Sequence, residues 1–205
     1  MSKPISTPER ILEAATELMW RDGYDAVSVD TICYAANVRK GSFYHAFHSK
    51  EELLNALILR RWNIARPELE QIYATDETPL EKLRNHLEWF GITQRGLAAK
   101  YGFVPGVFNM AVGINAPQST RDLIALHRSE HAAMFTHAIQ SVFADKGIDE
   151  AMLKWQSMIV SQLVNGATIE ARLSNTLEPY EHLPESVLAV LGLGEPPTSR
   201  FRKQH

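Results

Sequence analysis

Apolar residues recur at helical spacing along almost the whole chain. The first predicted helix opens with a cap, a proline and an acid at Thr7-Pro8-Glu9, and Gly23 can end it in the left-handed conformation. Its apolar stripe consists of Ile11, Leu12, Ala15, Leu18 and Met19. Because no segment alternates between polar and apolar residues as a strand does, the pattern predicts an all-α fold.

Between residues 28 and 48, two short helices are predicted on either side of a tight turn. Ser28 caps the first helix, which ends near Asn37, a residue that tolerates positive φ. The second helix covers about Lys40 to Phe47 and is mostly polar, whereas Val38 just before it is apolar and is expected to be buried. A short helix, a turn with positive φ and a short polar helix are the parts of a helix-turn-helix, whose second helix enters the major groove of DNA.

Longer helices are predicted for the remainder of the chain. A capping box of Ser49 and Glu52 opens a helix that Pro67 is expected to kink or interrupt. The glycines and prolines of residues 101–119 predict a loop or a short broken helix. Further helices are predicted to start at Thr78-Pro79-Leu80-Glu81 and to cover about Arg121 to Lys146, Glu150 to Ser174 and Tyr180 to Leu193.

Charge, cysteine content and the lengths of apolar runs exclude several classes of protein. The chain has 205 residues, a net charge of −3 and a pI near 6.2, which argues against non-specific coating of nucleic acid but not against a local basic patch. No acidic residue lies between Arg39 and Lys50. Cys33 is the only cysteine, so no intrachain disulfide is expected. The lack of a long apolar run and of an apolar signal core predicts a cytoplasmic protein without a membrane segment.

The segment from Ser28 to Leu53 resembles the TetR family of repressors. The run Lys-Gly-Ser-Phe-Tyr-His-x-Phe-x-Ser-Lys-Glu at residues 40–51 carries the resemblance, which extends over about residues 9–54. It implies an N-terminal three-helix helix-turn-helix DNA-binding domain, a C-terminal helical domain for ligand binding and dimerisation, and a homodimer. We place the two domains and a flexible tail at residues 1–52, 53–194 and 195–205.

The resemblance, together with the chemistry of each residue, predicts the DNA contacts. Gly41 allows the backbone to approach DNA closely, and Tyr44 is placed to donate its hydroxyl to a phosphate. Arg39 stands where the family usually has Ser or Thr and can read a guanine, while Lys50 is expected to bind a phosphate. The predicted set is Ser28, Thr31, Arg39, Lys40, Gly41, Ser42, Tyr44, His45 and Lys50. The alternative is that residues 28–48 are packed helices without a DNA contact.

Two apolar stripes on the helix from Glu150 to Ser174 predict contacts on two sides, because a helix that is apolar on two faces packs against two partners. In TetR-like proteins the last two helices of each subunit form the dimer interface. The predicted interface residues are Trp155, Ile159, Leu163, Gly166, Ala167, Val187 and Leu191. The alternative is that both stripes serve the core of one subunit.

The helices between residues 79 and 146 are rich in aromatic residues and methionine, which suits a pocket for a small apolar or aromatic effector. The predicted effector contacts are His86, Trp89, Phe90, Tyr101, Phe103, Phe108, Met110, His131, Met134 and Phe135. These residues can instead be ordinary core. His127 and His131 have the i, i+4 spacing of a zinc-binding pair, but no third ligand follows at a recognisable spacing, so surface histidines are the alternative. No metal or cofactor is expected.

The predicted function is that of a sequence-specific DNA-binding transcriptional regulator. The expected form is a homodimeric repressor that binds a palindromic operator in double-stranded DNA and is released by a small-molecule effector. A transcriptional activator, or a regulator without an effector, is the alternative for the same fold. An enzyme is not expected, because the chain has no His-Glu-x-x-His string, no Gly-x-Ser-x-Gly elbow and no phosphate-binding glycine loop.

Overall fold

A computed structural model of the chain describes residues 5–105, 112 and 116–194. Two predicted effector contacts, Phe108 and Met110, and the predicted tail at residues 195–205 lie outside the described residues. All regular structure within the described residues is helical, which confirms the predicted all-α fold. No helix in this part of the chain is both long enough and apolar enough to cross a membrane.

The described residues contain nine α-helices. In chain order they are α1 (Thr7–Asp22), α2 (Val29–Ala35), α3 (Lys40–Ala46), α4 (Lys50–Tyr73), α5 (Pro79–Tyr101), α6 (Gln118–Val142), α7 (Glu150–Ser174), α8 (Glu178–Glu181) and α9 (Leu183–Val190). A 3₁₀ turn, Ala144–Lys146, follows α6. The chain forms two compact units, whose described residues are 5–66, 112 and 116–127 in the first and 67–105 and 128–194 in the second.

The first unit is built around α1, which packs against both α2 and α3. Its fully buried apolar side chains include Ile11, Met19, Ile32 and Phe43. The cap of α1 is Ser6, whose hydroxyl accepts a hydrogen bond from the backbone N–H of Glu9 at 3.4 Å. The sequence predicted Thr7 as the cap, but Thr7 is already the first helical residue, one position later.

The second unit contains α5, α7, α8, α9 and the later parts of α4 and α6. Its fully buried residues include Leu87, Phe135, Ile139, Val160 and Val187. The predicted start of α5 is confirmed, because Thr78 Oγ1 accepts from the backbone N–H of Glu81 and the Glu81 carboxylate accepts from the backbone N–H of Thr78. The Thr78 hydroxyl, which donates to the Glu81 carboxylate at 2.7 Å, and the Thr78 backbone N–H lower the pKa of the Glu81 carboxyl.

Prolines account for two differences between the predicted and observed helices. Of the kink or interruption predicted at Pro67, the interruption is wrong, since α4 continues to Tyr73 and the buried Leu69 packs the turn that follows the proline. The helix predicted from about Tyr180 to Leu193 is instead divided into α8 and α9. Pro184, at the start of α9, has no N–H with which to continue α8 as one helix.

Helix α7 has a buried face and an exposed apolar face. The buried face packs into the core of the second unit and consists of Leu153, Ser157, Val160, Val164, Thr168 and Ala171. The opposite face follows a repeat of three and four residues and consists of Met152, Trp155, Ile159, Gln162, Gly166, Ile169 and Leu173. Ile159 is half-buried and the other six are exposed, Leu173 to 77%. We call this second set the α7 outer face.

The predicted dimer residues divide between these environments. Trp155, Ile159 and Gly166 belong to the α7 outer face, while Leu163 and Ala167 are partly buried against the core. Val187 and Leu191 are core residues of the second unit, only 0% and 5% exposed, and present no surface to another copy. The two kinds of stripe have the same helical spacing, so the sequence pattern alone does not distinguish a stripe that packs inward from one that packs outward.

Candidate nucleic-acid interface

The turn between α2 and α3 has the conformation that its sequence predicts. Asn37 has a φ of 52°, which asparagine tolerates better than most residues. Val38 donates its backbone N–H to the carbonyl of Cys33 at 3.0 Å, and Arg39 caps α3 in an extended conformation. Arg39 makes no side-chain capping hydrogen bond, as expected where arginine stands in place of a hydroxyl residue.

Arg10 of α1 holds this turn in place. Its Nε and Nη2 atoms donate to the carbonyl of Ala36 at 3.0 and 2.6 Å, and Nη2 also donates to the carbonyl of Asn37. These carbonyls end α2 and would otherwise lack helical partners. The sequence does not reveal Arg10 as a supporting residue, because its contact spans 26 positions along the chain and no local motif signals it.

Helix α3 has a buried apolar side and an exposed polar side. Phe43 is fully buried, and Phe47, which caps the helix, is 7% exposed. The residues of the predicted interface on the other side are all exposed: Arg39, Lys40, Gly41, Ser42, Tyr44 and His45. A Cβ built on Gly41 meets no atom within 4 Å, so packing inside the protein does not require a glycine there.

The two predicted contacts on α2 are also exposed. Ser28 caps α2, because its hydroxyl accepts from the backbone N–H of Thr31 at 3.0 Å. The hydroxyls of Ser28 and Thr31 are hydrogen-bonded to each other at 2.8 Å. A hydroxyl pair that is partly satisfied and faces solvent can still bond a phosphate oxygen.

Lys40 is paired with Asp30, an acid that is not among the predicted interface residues. Its ammonium lies 2.9 Å from Oδ1 of Asp30, and the hydrogen bond to Asp30 raises the pKa of Lys40. The ten-residue separation joins the first turn of α2 to the first turn of α3. The signal that was available in the sequence is an acid placed beside two predicted phosphate contacts, Ser28 and Thr31.

Lys50 has partners within the protein. Its Nζ donates to the carbonyls of Tyr24 and Val27, both at 3.0 Å, and lies 4.1 Å from the centre of the Tyr24 ring. In this arrangement Lys50 fixes the loop between α1 and α2 against the start of α4. The predicted phosphate contact of Lys50 stays a prediction, and it would use only the donor that remains.

The start of α4 forms only part of the predicted capping box. The Ser49 hydroxyl accepts from the backbone N–H of Glu52 at 3.0 Å, as a cap does. The Glu52 carboxylate, however, accepts from the backbone N–H of His48 at 2.8 Å and pairs with the His48 ring. These contacts with His48 lower the pKa of Glu52. The carboxylate therefore reaches one residue further back than a capping box requires.

Four of the predicted effector contacts form one cluster in the second unit. The rings of His86 and Phe135 stack with centroids 4.1 Å apart, and Phe90 and His131 complete the group. His86 Nε2 lies 2.9 Å from His131 Nε2, and His86 Nδ1 lies 2.5 Å from the hydroxyl of Tyr73. We call Tyr73, His86 and His131 the histidine relay.

Burial keeps both histidines of the relay neutral. It lowers the pKa of His131 to about 4, and burial together with the nearby His131 lowers the pKa of His86 well below its usual value. Burial also raises the pKa of the Tyr73 hydroxyl, which therefore keeps its proton. Since the two Nε2 atoms face each other at hydrogen-bond distance, only one of them carries a proton.

The remaining predicted effector contacts lie in other parts of the second unit. Trp89 donates its indole N–H to Glu68 at 2.8 Å, the Tyr101 and Phe103 rings are 6.2 Å apart, and Met134 is half-buried. An open cleft of about 510 Å³ lies between the end of α5 and the α7–α8 connection. Among the predicted effector contacts that the structure describes, only Phe103 lines that cleft.

The two histidines with zinc-like spacing have different neighbours. The ring of His127 stacks on Trp62 with centroids 5.2 Å apart, whereas His131 belongs to the histidine relay. Within the described residues, no group of three or more histidine, cysteine or acidic side chains is arranged to hold a metal ion.

Known proteins resemble this chain both in its N-terminal sequence and in its fold. The family model for bacterial regulatory proteins of the tetR family matches residues 11–57. An HTH-type transcriptional regulator encoded in the lacX 3′ region of Lactococcus lactis subsp. lactis is 31% identical over 112 residues, which are 54% of this chain and 56% of that protein's length. The HTH-type transcriptional repressor NemR of Escherichia coli K12 is 21% identical over 182 residues, covering 86% of this chain and 89% of NemR.

Solved structures extend the likeness in fold to nearly the whole chain. A TetR-family transcriptional regulator from Agrobacterium tumefaciens superposes with a TM-score of 0.78 at 20% identity, covering 92% of this chain and 98% of that one. The transcriptional regulator FadR from Bacillus subtilis, solved in complex with stearoyl-CoA, superposes with a TM-score of 0.67 at 19% identity, covering 89% and 97%. The N-terminal motif thus matches the tetR family of bacterial regulatory proteins over residues 11–57, and the chain shares the fold of solved TetR-family regulators.

Proposed function

We propose that this protein is a transcriptional repressor that binds a palindromic operator in double-stranded DNA as a homodimer and is released by a small-molecule effector. The observation that carries the proposal is the division of α3. Phe43 and the capping residue Phe47 are buried, while Arg39, Lys40, Ser42 and His45 are all exposed. A short helix supported from behind and polar in front is suited to the major groove.

Gly41 also supports the proposal that α3 binds DNA. A side chain there would meet nothing inside the described protein, and alanine would favour the helix. A glycine that the fold does not require is explained if the backbone of α3 approaches another molecule at this position. DNA is a partner that fits, because the residues around Gly41 are cationic or can donate hydrogen bonds.

The α7 outer face supports the homodimer. A soluble protein rarely leaves a long row of large apolar side chains such as Trp155, Ile169 and Leu173 in water. Two copies paired through this face would bury it. A symmetric dimer that reads a palindrome needs its two recognition helices one DNA turn apart, about 34 Å.

Contacts inside the first unit support release by an effector. Thr120, at the start of α6, is fully buried and donates its hydroxyl to Asn55 of α4 at 2.8 Å. Ser119 donates to Glu51 of α4 as well. Because α4 begins just after α3, a shift at the start of α6 would move the start of α4 and with it the DNA-binding helix α3.

The effector is proposed to be small and apolar or aromatic, bound in the second unit near the cluster of Phe90, Phe135 and the histidine relay. The known FadR structure contains stearoyl-CoA, and NemR is named as a repressor. A regulator of bacterial genes acts where the chromosome is, so we propose a cytoplasmic location.

The test pairs two glycine substitutions. Operator sequences are first selected from a library of random duplexes with the wild-type protein, and binding is then measured by gel shift for Gly41→Ala and Gly96→Ala. Gly96 lies in α5, where an added Cβ also meets nothing within 4 Å. Both variants should be more stable by up to about 1 kcal/mol, because alanine favours a helix. Only Gly41→Ala should lose operator affinity.

Loss of at least about tenfold in affinity is expected for Gly41→Ala, equal to about 1.4 kcal/mol or more. A library that yields no enriched, palindromic sequence would contradict the proposal. So would a Gly41→Ala protein that binds the selected operator as tightly as the Gly96→Ala protein does.

A further inference from the structure

An acidic residue lies on the exposed side of the helix-turn-helix. Asp30 is in the first turn of α2, between Ser28 and Thr31, two of the predicted DNA contacts. Its two carboxylate oxygens hold the Lys40 ammonium, with Oδ1 at 2.9 Å and Oδ2 at 3.1 Å. The pair therefore joins the first turns of both helices of the motif.

Stability does not account for this ion pair. The side chains of Lys40 and Asp30 are 54% and 72% exposed, and pairs as exposed as this contribute little to folding. What the pair does is fix the position of a lysine, whose long stem otherwise samples many rotamers. Arg39 differs, because its side chain is exposed and makes no hydrogen bond or ion pair within the described part of the chain.

We propose that Asp30 is a specificity-determining residue, which fixes the Lys40 ammonium at one position on the DNA-facing side of the motif. The proposal rests on the DNA-binding function proposed above. A lysine held at one position contributes to a complex in which α3 lies in the register of the operator. It contributes less to complexes with arbitrary DNA, in which phosphates lie at other positions relative to α3.

The charge of Asp30 acts in the same direction. Non-specific binding depends almost entirely on cations that meet phosphates and release counterions. The Asp30 carboxylate offsets the charge of Lys40 and repels a nearby phosphate. In the operator complex, base contacts from α3 offset that repulsion, whereas arbitrary DNA provides few of them. Asp30 therefore weakens DNA binding in general and weakens non-specific binding most.

The test compares Asp30→Asn with Asp25→Asn. Both substitutions remove one negative charge from the first unit, but Asp25 is exposed and has no ion pair within the described residues. Affinity is measured by fluorescence anisotropy, at several salt concentrations, for the selected operator and for a duplex of scrambled sequence. The ratio of the two affinities is the specificity of each protein.

For Asp30→Asn we expect the affinity for the scrambled duplex to rise about tenfold, with a salt dependence steeper by about one phosphate contact. Operator affinity should change by less than about threefold, because the gain from removing the charge is offset by the freedom that Lys40 acquires. Specificity should therefore fall by about threefold or more. Asp25→Asn should raise both affinities by similar, smaller factors.

A second comparison shows whether Asp30 acts through Lys40. In a Lys40→Met background, Asp30→Asn should cause a smaller loss of specificity, because only the direct repulsion between the carboxylate and phosphate is then removed. Equal specificity for Asp30→Asn and Asp25→Asn, or a loss of undiminished size without Lys40, would overturn the role of Asp30 and leave the DNA-binding function standing. A wild-type protein that selects no sequence from the library would overturn both proposals.

Discussion

The two units of this chain distribute their polar and apolar groups in opposite ways. In the first unit, charged and hydroxyl side chains of α2 and α3 are exposed and the phenylalanines of the motif are buried. In the second unit, Tyr73, His86 and His131 are hydrogen-bonded to one another inside the protein, while the α7 outer face leaves large apolar side chains in water. The buried histidines and the exposed α7 outer face of the second unit both depart from the usual pattern of burial.

Because of this difference, the exposed side of α3 and the α7 outer face are recognised as binding surfaces by different kinds of evidence. A polar, cationic surface is ordinary on a soluble protein, so α3 is identified by its motif and by the geometry of the turn that precedes it. The α7 outer face needs no motif, because an exposed apolar row is itself evidence of a partner.

The largest effect is expected for charge placed on the α7 outer face. Trp155→Glu combined with Ile169→Glu should convert a dimer into monomers, because two charges would have to be buried in the interface. Operator affinity should fall by about 100-fold or more, since each recognition helix would then bind alone. Light scattering after size exclusion measures the mass, and a gel shift measures the affinity.

The control for this variant is Ile92→Glu, which places a charge on an apolar residue of α5 that is 67% exposed and lies outside the α7 outer face. It should leave both mass and affinity unchanged. A Trp155→Glu, Ile169→Glu protein that still elutes as a dimer would remove the contrast drawn between the two units.

The next effect is a pH dependence that belongs to the second unit. The pKa values of His86 and His131 are lowered in the folded protein, to about 4 for His131, whereas histidine in an unfolded chain has a pKa near 6.5. The fold is therefore most stable above about pH 6.5, where both histidines are neutral in the folded and the unfolded chain, and it loses stability as the pH falls. As the pH falls from about 6.5 to 4.5, the free energy of unfolding should decrease by about 3 kcal/mol. Urea titrations at several pH values measure it.

A His131→Gln variant serves as the control, because glutamine can keep a hydrogen bond but does not titrate. Its free energy of unfolding should vary less over the same pH range. If the wild type and this variant have parallel pH profiles, the histidine relay does not contribute the expected titration.

A smaller effect is expected in the first unit when the support of the turn is removed. Arg10→Met deletes the hydrogen bonds to Ala36 and Asn37 and should lower the free energy of unfolding by about 2 kcal/mol, as for other hydrogen bonds to a charged group. Arg21→Met is the matched control, since the ion pairs of Arg21 with Asp22 and Glu17 are both exposed. Equal destabilisation by the two variants would show that Arg10 does not support the turn.

The smallest effect concerns the conformation of that turn. Asn37→Gly should raise the free energy of unfolding by about 0.5 kcal/mol, because glycine adopts a φ of 52° without strain, and Asn37→Ala should lower it by about 1 kcal/mol. Thermal unfolding measures both. If the Asn37→Ala and Asn37→Gly proteins are equally stable, the positive φ at this position carries no cost.

The first unit was the more predictable from sequence, because its signals are local. Caps, the tight turn and the alternation of buried and exposed residues in α3 depend on residues close together in the chain. Errors there are one residue long, as for Ser6 and Thr7. The exceptions, Arg10 and Asp30, act across 26 and 10 positions, where no short pattern reports the contact.

The second unit was predicted only in outline. Its helices follow from periodicity, but whether a stripe packs inward or outward depends on neighbours that are distant in sequence. Periodicity therefore did not separate the buried Val187 and Leu191 from the exposed residues of α7. Likewise, His86 and His131 are 45 positions apart, and only folding brings their Nε2 atoms together. Propensity alone also missed that packing around Leu69 carries α4 past its proline.

Pro67 has a mechanical consequence for α4. A proline inside a helix removes one main-chain hydrogen bond and lowers helix stability by about 3 kcal/mol compared with alanine. The hydrogen bonds of the other turns keep α4 helical, but the helix bends most easily where this hydrogen bond is absent. Any strain that reaches α4 therefore concentrates within a turn of Pro67, and amide hydrogens beside it should exchange with solvent before those in the turns around Leu54 and Leu57.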